Sequence, residues 1–85
     1  MKIEIEVTEY TPESWIRLNW VSGYVIESRI DGNTVVLKAN KEGLTTLAQH
    51  LLTLAQENIE PGNHIHLDDS NGLEDGSCEL IIERT

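Results

Sequence analysis

The run HIHLDD at residues 64–69 holds the densest group of chemically capable side chains in the sequence. His64, His66 and Asp68 are spaced by two, so on a β-strand all three point to one side and could meet a divalent ion. A nearby glutamate could complete an incidental site. A catalytic metal centre asks for more, namely ligands from distant segments and a cavity that excludes water. The one remaining histidine, His50, falls on the flank of a predicted helix that packs on the opposite face of the sheet. The expectation is therefore a surface pair of histidines, with no metal and no cofactor. Divalent-metal binding through His64 and His66 stays open as an alternative.

Other chemistries find less support. An EF-hand loop starting at Asp68 would place Ser70 at position 3 and Gly72 at position 5, so the calcium register fails. Cys78 is the only cysteine, which excludes an internal disulfide and a zinc site built on thiolates. It occupies a predicted core-facing position, where a thiol is a small inert hydrophobe. Ser70 and Ser77 lack a nucleophile elbow, and Ser14 has no identifiable base. Gly72 and Gly76 do not lead into a helix, so no helix N-terminus is offered to a phosphate. The chain is not expected to be an enzyme.

These side chains must be positioned by a small set of elements. Residues 2 to 8 alternate strictly, with Ile3, Ile5 and Val7 on one side and Lys2, Glu4, Glu6 and Thr8 on the other, the period of a strand with one wet face. Thr11-Pro12 ends that pattern, and residues 14–20 read as a short strand or an irregular segment. The β-branched runs 24–30 and 34–39 flank Asp31-Gly32-Asn33, which signals a hairpin. Asn40 offers a helix N-cap with Glu42 in the first turn. Leu44, Leu47, Ala48, Leu51, Leu52 and Ala55 then line one stripe of a helix over about 41–57, with Thr46, Gln49 and Thr53 opposite. Pro61-Gly62 reads as a type II turn, followed by strands at 64–68 and 78–84. The expected fold is α+β: one domain over residues 1–85, a mostly antiparallel sheet of about five strands, and the helix across one face.

That fold dictates what the other face carries. If Ile3, Ile5, Val7, Ile65, Leu67, Cys78, Leu80 and Ile82 look toward the helix, their neighbours look away. The outward set is Glu4, Glu6, His64, His66, Asp68, Glu79, Ile81 and Glu83, joined by Thr34, Val36 and Lys38 of the hairpin. With 15 acids against 6 bases over 85 residues the net charge is −9. Residues 57–85 hold eight acids and one base, Arg84, a net of −7 that leaves −2 for residues 1–56. Such a charge repels nucleic acid and anionic membrane and suits a basic protein partner. The candidate contact residues are Glu4, Glu6, His64, His66, Asp68, Asp69, Glu74, Asp75, Glu79 and Glu83. A merely solvated outer face is the plain alternative, and a homodimer through Val36, Ile81 and an edge strand is another.

The four aromatics, Tyr10, Trp15, Trp20 and Tyr24, cluster in the first third. Both tryptophans are expected to close the end of the core, the alternative being that one is an exposed anchor. The single cysteine and the lack of a continuous apolar leader point to a soluble cytoplasmic protein.

The stretch Leu37 to Glu83 resembles the immunity protein 32 family of bacterial polymorphic-toxin systems. The likeness is carried by AN-KEGL at Ala39–Leu44, LLTLAQ at Leu51–Gln56, PGNHIHLDD at Pro61–Asp69 and LEDGSCELII at Leu73–Ile82. The resemblance implies a small cytoplasmic α+β protein that protects its producer by binding a cognate toxin. It carries no catalytic residue over to this chain.

Overall fold

A computed structural model describes residues 1–85. The order is β1 (Ile26–Asp31), β2 (Thr34–Ala39), α1 (Lys41–Leu54), β3 (His64–Leu67) and β4 (Leu80–Glu83). β1 and β2 pair antiparallel from Ile26↔Ala39 to Asp31↔Thr34, so Gly32 and Asn33 alone make the turn. Gly32 holds φ at 61°, the positive angle that a two-residue hairpin turn demands. Pro61-Gly62 also turns as expected, with Gly62 at φ 96° and Asn63 N–H donating to the Glu60 carbonyl.

The class is α+β, but the expected sheet of five strands is replaced by two antiparallel sheets of two strands each, β1–β2 and β3–β4. The N-terminal alternation does not become a strand, because residues 1–10 make no backbone–backbone hydrogen bond. They run along one flank of α1 instead, where side-chain amides replace a neighbouring strand. Gln56 accepts the Tyr10 N–H at 2.8 Å and donates to the Thr8 carbonyl at 3.0 Å, while Asn58 donates to the Tyr10 carbonyl at 2.9 Å. Residues 14–20 form no strand beyond an isolated Thr11↔Trp15 bridge.

The two sheets are tied through the segment leading into β4. Glu74 N–H donates to the Ile26 carbonyl at 2.9 Å and Cys78 N–H to the Ser28 carbonyl at 3.0 Å. Buried Ser28 completes the seam, its N–H bonding Ser77 Oγ and its hydroxyl donating to the Cys78 carbonyl. Cys78 is half-buried against that same hydroxyl.

The helix begins as the sequence suggests. Asn40 Oδ1 accepts the Gly43 N–H at 2.8 Å and the Val25 N–H at 2.9 Å, so one side chain caps α1 and fastens it to β1. It stops at Leu54 rather than about 57, where Ala55 N–H closes the last turn. Arg84 Nη1 donates to the Leu54 and Gln56 carbonyls at 2.9 and 2.8 Å, placing a cation at the negative end of the helix.

The rotation of α1 about its axis departs most from expectation. Gly43, Thr46, Leu47, His50, Thr53 and Leu54 are buried, whereas Leu44, Leu51 and Leu52 remain about half exposed. The polar side chains can be buried because local partners satisfy them. Thr46 and Thr53 hydroxyls donate to the carbonyls of Glu42 and Gln49 four residues back, at 2.8 and 2.7 Å. Thr46 Oγ1 also accepts the Val21 N–H at 3.0 Å. Gly43 permits the close approach: a Cβ there would run into the Val25 carbonyl oxygen. The core is Ile26, Leu47, Leu54, Ile59, Ile65, Leu67 and Leu73, gathered between α1 and both sheets.

Neither tryptophan is buried: Trp20, 37% exposed, lies at the edge of the core, its ring tilted 40° to Tyr24 at 4.9 Å and edge-on to buried His50 at 4.5 Å. Trp15 stands 78% exposed at φ 61°, so the expectation that both tryptophans close the end of the core fails. No helix is long and apolar enough to cross a membrane.

Candidate functional site

β3 is where the alternation read from sequence meets the structure most directly. Ile65 and Leu67 are buried at 3% and 1% exposure, while His64 and His66 face out. Two core side chains on a four-residue strand fix its register, because a slip by one would bury both imidazoles. The ladder sets His64 opposite Glu83 and His66 opposite Ile81, with Glu79 just before β4 begins. His66 Nε2 lies 3.3 Å from Glu79 Oε2 and 3.6 Å from Asp68 Oδ2. His64 stands apart from that group, its Nδ1 3.4 Å from the Gly62 carbonyl.

The turn after β3 holds Asp68 in place. Its carbonyl accepts the N–H groups of Asn71 and Leu73, and its Oδ1 accepts the Ser70 N–H at 2.9 Å. Asn71 reaches back to donate to the His66 carbonyl at 2.7 Å. Gly72 follows at φ 92° beneath the Trp20 ring, where a Cβ would come within 2.6 Å of the indole. Leu73 is buried and anchors the loop, whereas Glu74 and Asp75 are exposed beyond it. Asp69 Oδ2 accepts the Gly76 N–H at 3.4 Å across that loop.

The structure thus brings His66, Asp68 and Glu79 together, with His64 and Glu83 paired further along the same two strands. It does not bring Glu4 and Glu6 into that sheet. Both lie on the N-terminal arm, whose Glu6 carbonyl accepts from Asn19 and Gln49 at 3.5 Å. Val36 and Ile81, expected on one face, lie on separate sheets. Arg84, the only base in residues 57–85, is turned to the end of α1 and makes no ion pair with the acids around it. The face therefore keeps its negative charge uncompensated by lysine or arginine.

His50 is not on a flank, as expected, but fully buried. The Asn19 carbonyl, 3.1 Å from Nε2, can only accept, so Nε2 carries the hydrogen and Nδ1 is left without a partner. Burial lowers its pKa below the ordinary 6.5, outweighing the hydrogen bond to Asn19, which acts the other way. This histidine is structural and belongs to no surface site.

The feature that sequence reasoning missed is the outward apolar strip of Leu44, Leu51 and Leu52. A shallow groove continues it, lined by Val25, Leu37, Ala39 and Leu44 with Glu27, Lys38 and Asn40 at its rim. The available signal was Gly43 in register with Thr46, His50 and Thr53, a small-and-polar stripe that suits close backbone approach.

No curated protein and no solved structure matches the chain. The model of the family described as immunity protein 32 matches residues 34–85, more than half of the length, and spans α1, both strands of the acidic face and the loop between them. On that match, the chain belongs to the immunity protein 32 family.

Proposed function

We propose that this protein is a non-enzymatic binding module that neutralises a basic bacterial toxin in the cytoplasm of its producer. The contact surface in this reading is the outward face of β3–β4 and the loop between them: His64, His66, Asp68, Asp69, Glu74, Asp75, Glu79 and Glu83. Glu4 and Glu6, on a different element, add to the long-range attraction rather than to the contact. Family membership supports a protein partner. The observation that carries the choice of surface is Arg84, which caps α1 and leaves the acids of the C-terminal third without an ion pair to lysine or arginine.

Uncompensated charge of this kind acts first on encounter. Complementary potentials raise the association rate and make it fall with added salt, while rim charges contribute little to the final affinity. The test is stopped-flow association with the toxin of the neighbouring gene, for the wild type and for Asp68→Asn, Glu79→Gln, Glu83→Gln combined. The variant should associate at least about tenfold more slowly at low ionic strength, with a flatter salt dependence. Equal rates and equal salt slopes would show that the toxin is captured elsewhere.

A further inference from the structure

We propose that His66, Asp68 and Glu79 form a surface site for a divalent transition metal, with zinc the best-suited ion. The geometry sets it apart from a chance gathering of acids. The three donor atoms, one imidazole nitrogen and two carboxylate oxygens, all lie within 4.8 Å of one another. His66 Nε2 is 3.3 Å from one oxygen and 3.6 Å from the other. An ion bonded to nitrogen and oxygen at about 2.0–2.2 Å separates neighbouring tetrahedral ligands by roughly 3.3–3.6 Å. The two histidine-to-carboxylate separations match those of neighbouring zinc ligands, and the two carboxylate oxygens lie within 4.8 Å of each other.

The backbone explains that spacing. The β3–β4 ladder ends at Leu67↔Leu80, and Asp68 and Glu79 are the next residues on its two strands, two positions beyond the His66↔Ile81 pair. Two carboxylates this close repel, and no lysine or arginine pairs with either. A dication between them removes that repulsion. Asp68 presents Oδ2 because Oδ1 is held by the Ser70 N–H, and the Asn71 bond to the His66 carbonyl steadies the strand beneath the imidazole.

The donor set also selects the ion. Imidazole plus carboxylate suits zinc, nickel or cobalt, whereas calcium wants six to eight oxygens, more than these groups provide. Three protein ligands leave a fourth position to solvent, as the side-chain exposures of 44% for His66 and 61% for Glu79 require. The ligand set differs from the pair suggested by sequence: Glu79 replaces His64, which points to the Gly62 carbonyl.

The site lies on the face assigned to the toxin, yet it is tested on the isolated chain, so either reading can fail without the other. Isothermal titration of untagged protein with zinc chloride should show one ion per chain. His66→Ala and Glu79→Gln should each weaken binding at least about tenfold, His64→Ala should leave it unchanged, and calcium chloride should give no heat. These residues are exposed, and a circular dichroism spectrum identical to wild type verifies that each variant folds. A flat zinc titration of the wild type overturns the proposal and leaves the cluster an ion-pair network. So does zinc binding that survives His66→Ala or is lost with His64→Ala.

Discussion

Replacing Gly43 with alanine separates the two ways in which α1 could face its neighbours. On an outward face, a helical Gly→Ala change stabilises by about 1 kcal/mol, because alanine has the higher helix propensity. In the observed orientation the added methyl meets the Val25 carbonyl oxygen and lies 3.0 Å from Ala39 Cβ and Ile26 Cγ1. The oxygen is backbone and cannot rotate aside, and it already accepts the Asn40 N–H at 3.1 Å. Overpacking costs about 1–3 kcal/mol, and displacing that hydrogen bond adds about 0.5–1.5 kcal/mol. Set against the propensity gain, the net loss is about 2 kcal/mol, or roughly 8–16 °C in Tm for a chain of this size. Leu52→Ala is the companion measurement: about half exposed, that leucine should cost about 1 kcal/mol, against the 2–5 kcal/mol of a core leucine. Thermal and urea denaturation give both numbers. A Gly43→Ala variant as stable as the wild type, or more so, refutes the orientation of α1 and with it the outward leucine strip.

Asn40→Ala should lose about 2 kcal/mol in urea unfolding, more than an ordinary N-cap, since it removes the bond to Val25 N–H as well as that to Gly43 N–H. His50 is neutral when folded and binds a proton more readily when unfolded, so stability holds above pH 6.5 and falls as the pH drops below it. The slope attributable to this one proton is at most about 1.4 kcal/mol per pH unit; His50→Gln should flatten the pH dependence of unfolding below pH 6.5. Arg84→Gln should destabilise by about 1–2 kcal/mol by uncapping two carbonyls at the end of α1. The same substitution should leave toxin association no slower, because Arg84 faces away from the acids.

What could be read from sequence was local. The Gly32 turn fixes the β1–β2 hairpin, and the alternation of residues 64–67 puts two imidazoles outside and two aliphatics inside. The helix, its Asn40 cap and the outward run from His64 to Asp68 were equally legible. Pairing between distant segments was not. Residues 2–8 alternate like a strand, but their neighbours are the Asn19, Gln49 and Gln56 side chains, and no periodicity announces an amide clamp. The seam from Glu74 and Cys78 to β1 runs through main-chain atoms and Ser28, so it leaves no hydrophobic pattern. The helix rotation was hidden because threonines that bond their own preceding turn bury as easily as valines. A hydrophobicity stripe places them outside.

The proposed partner surface is the outward face of β3–β4. An amide-resolved NMR titration of the labelled protein with its cognate toxin addresses it directly. Shifts should concentrate at residues 64–69 and 74–83, with Leu44, Leu51 and Leu52 unmoved. A footprint on those leucines and the Val25–Leu37 groove, with β3 and β4 silent, would contradict that assignment.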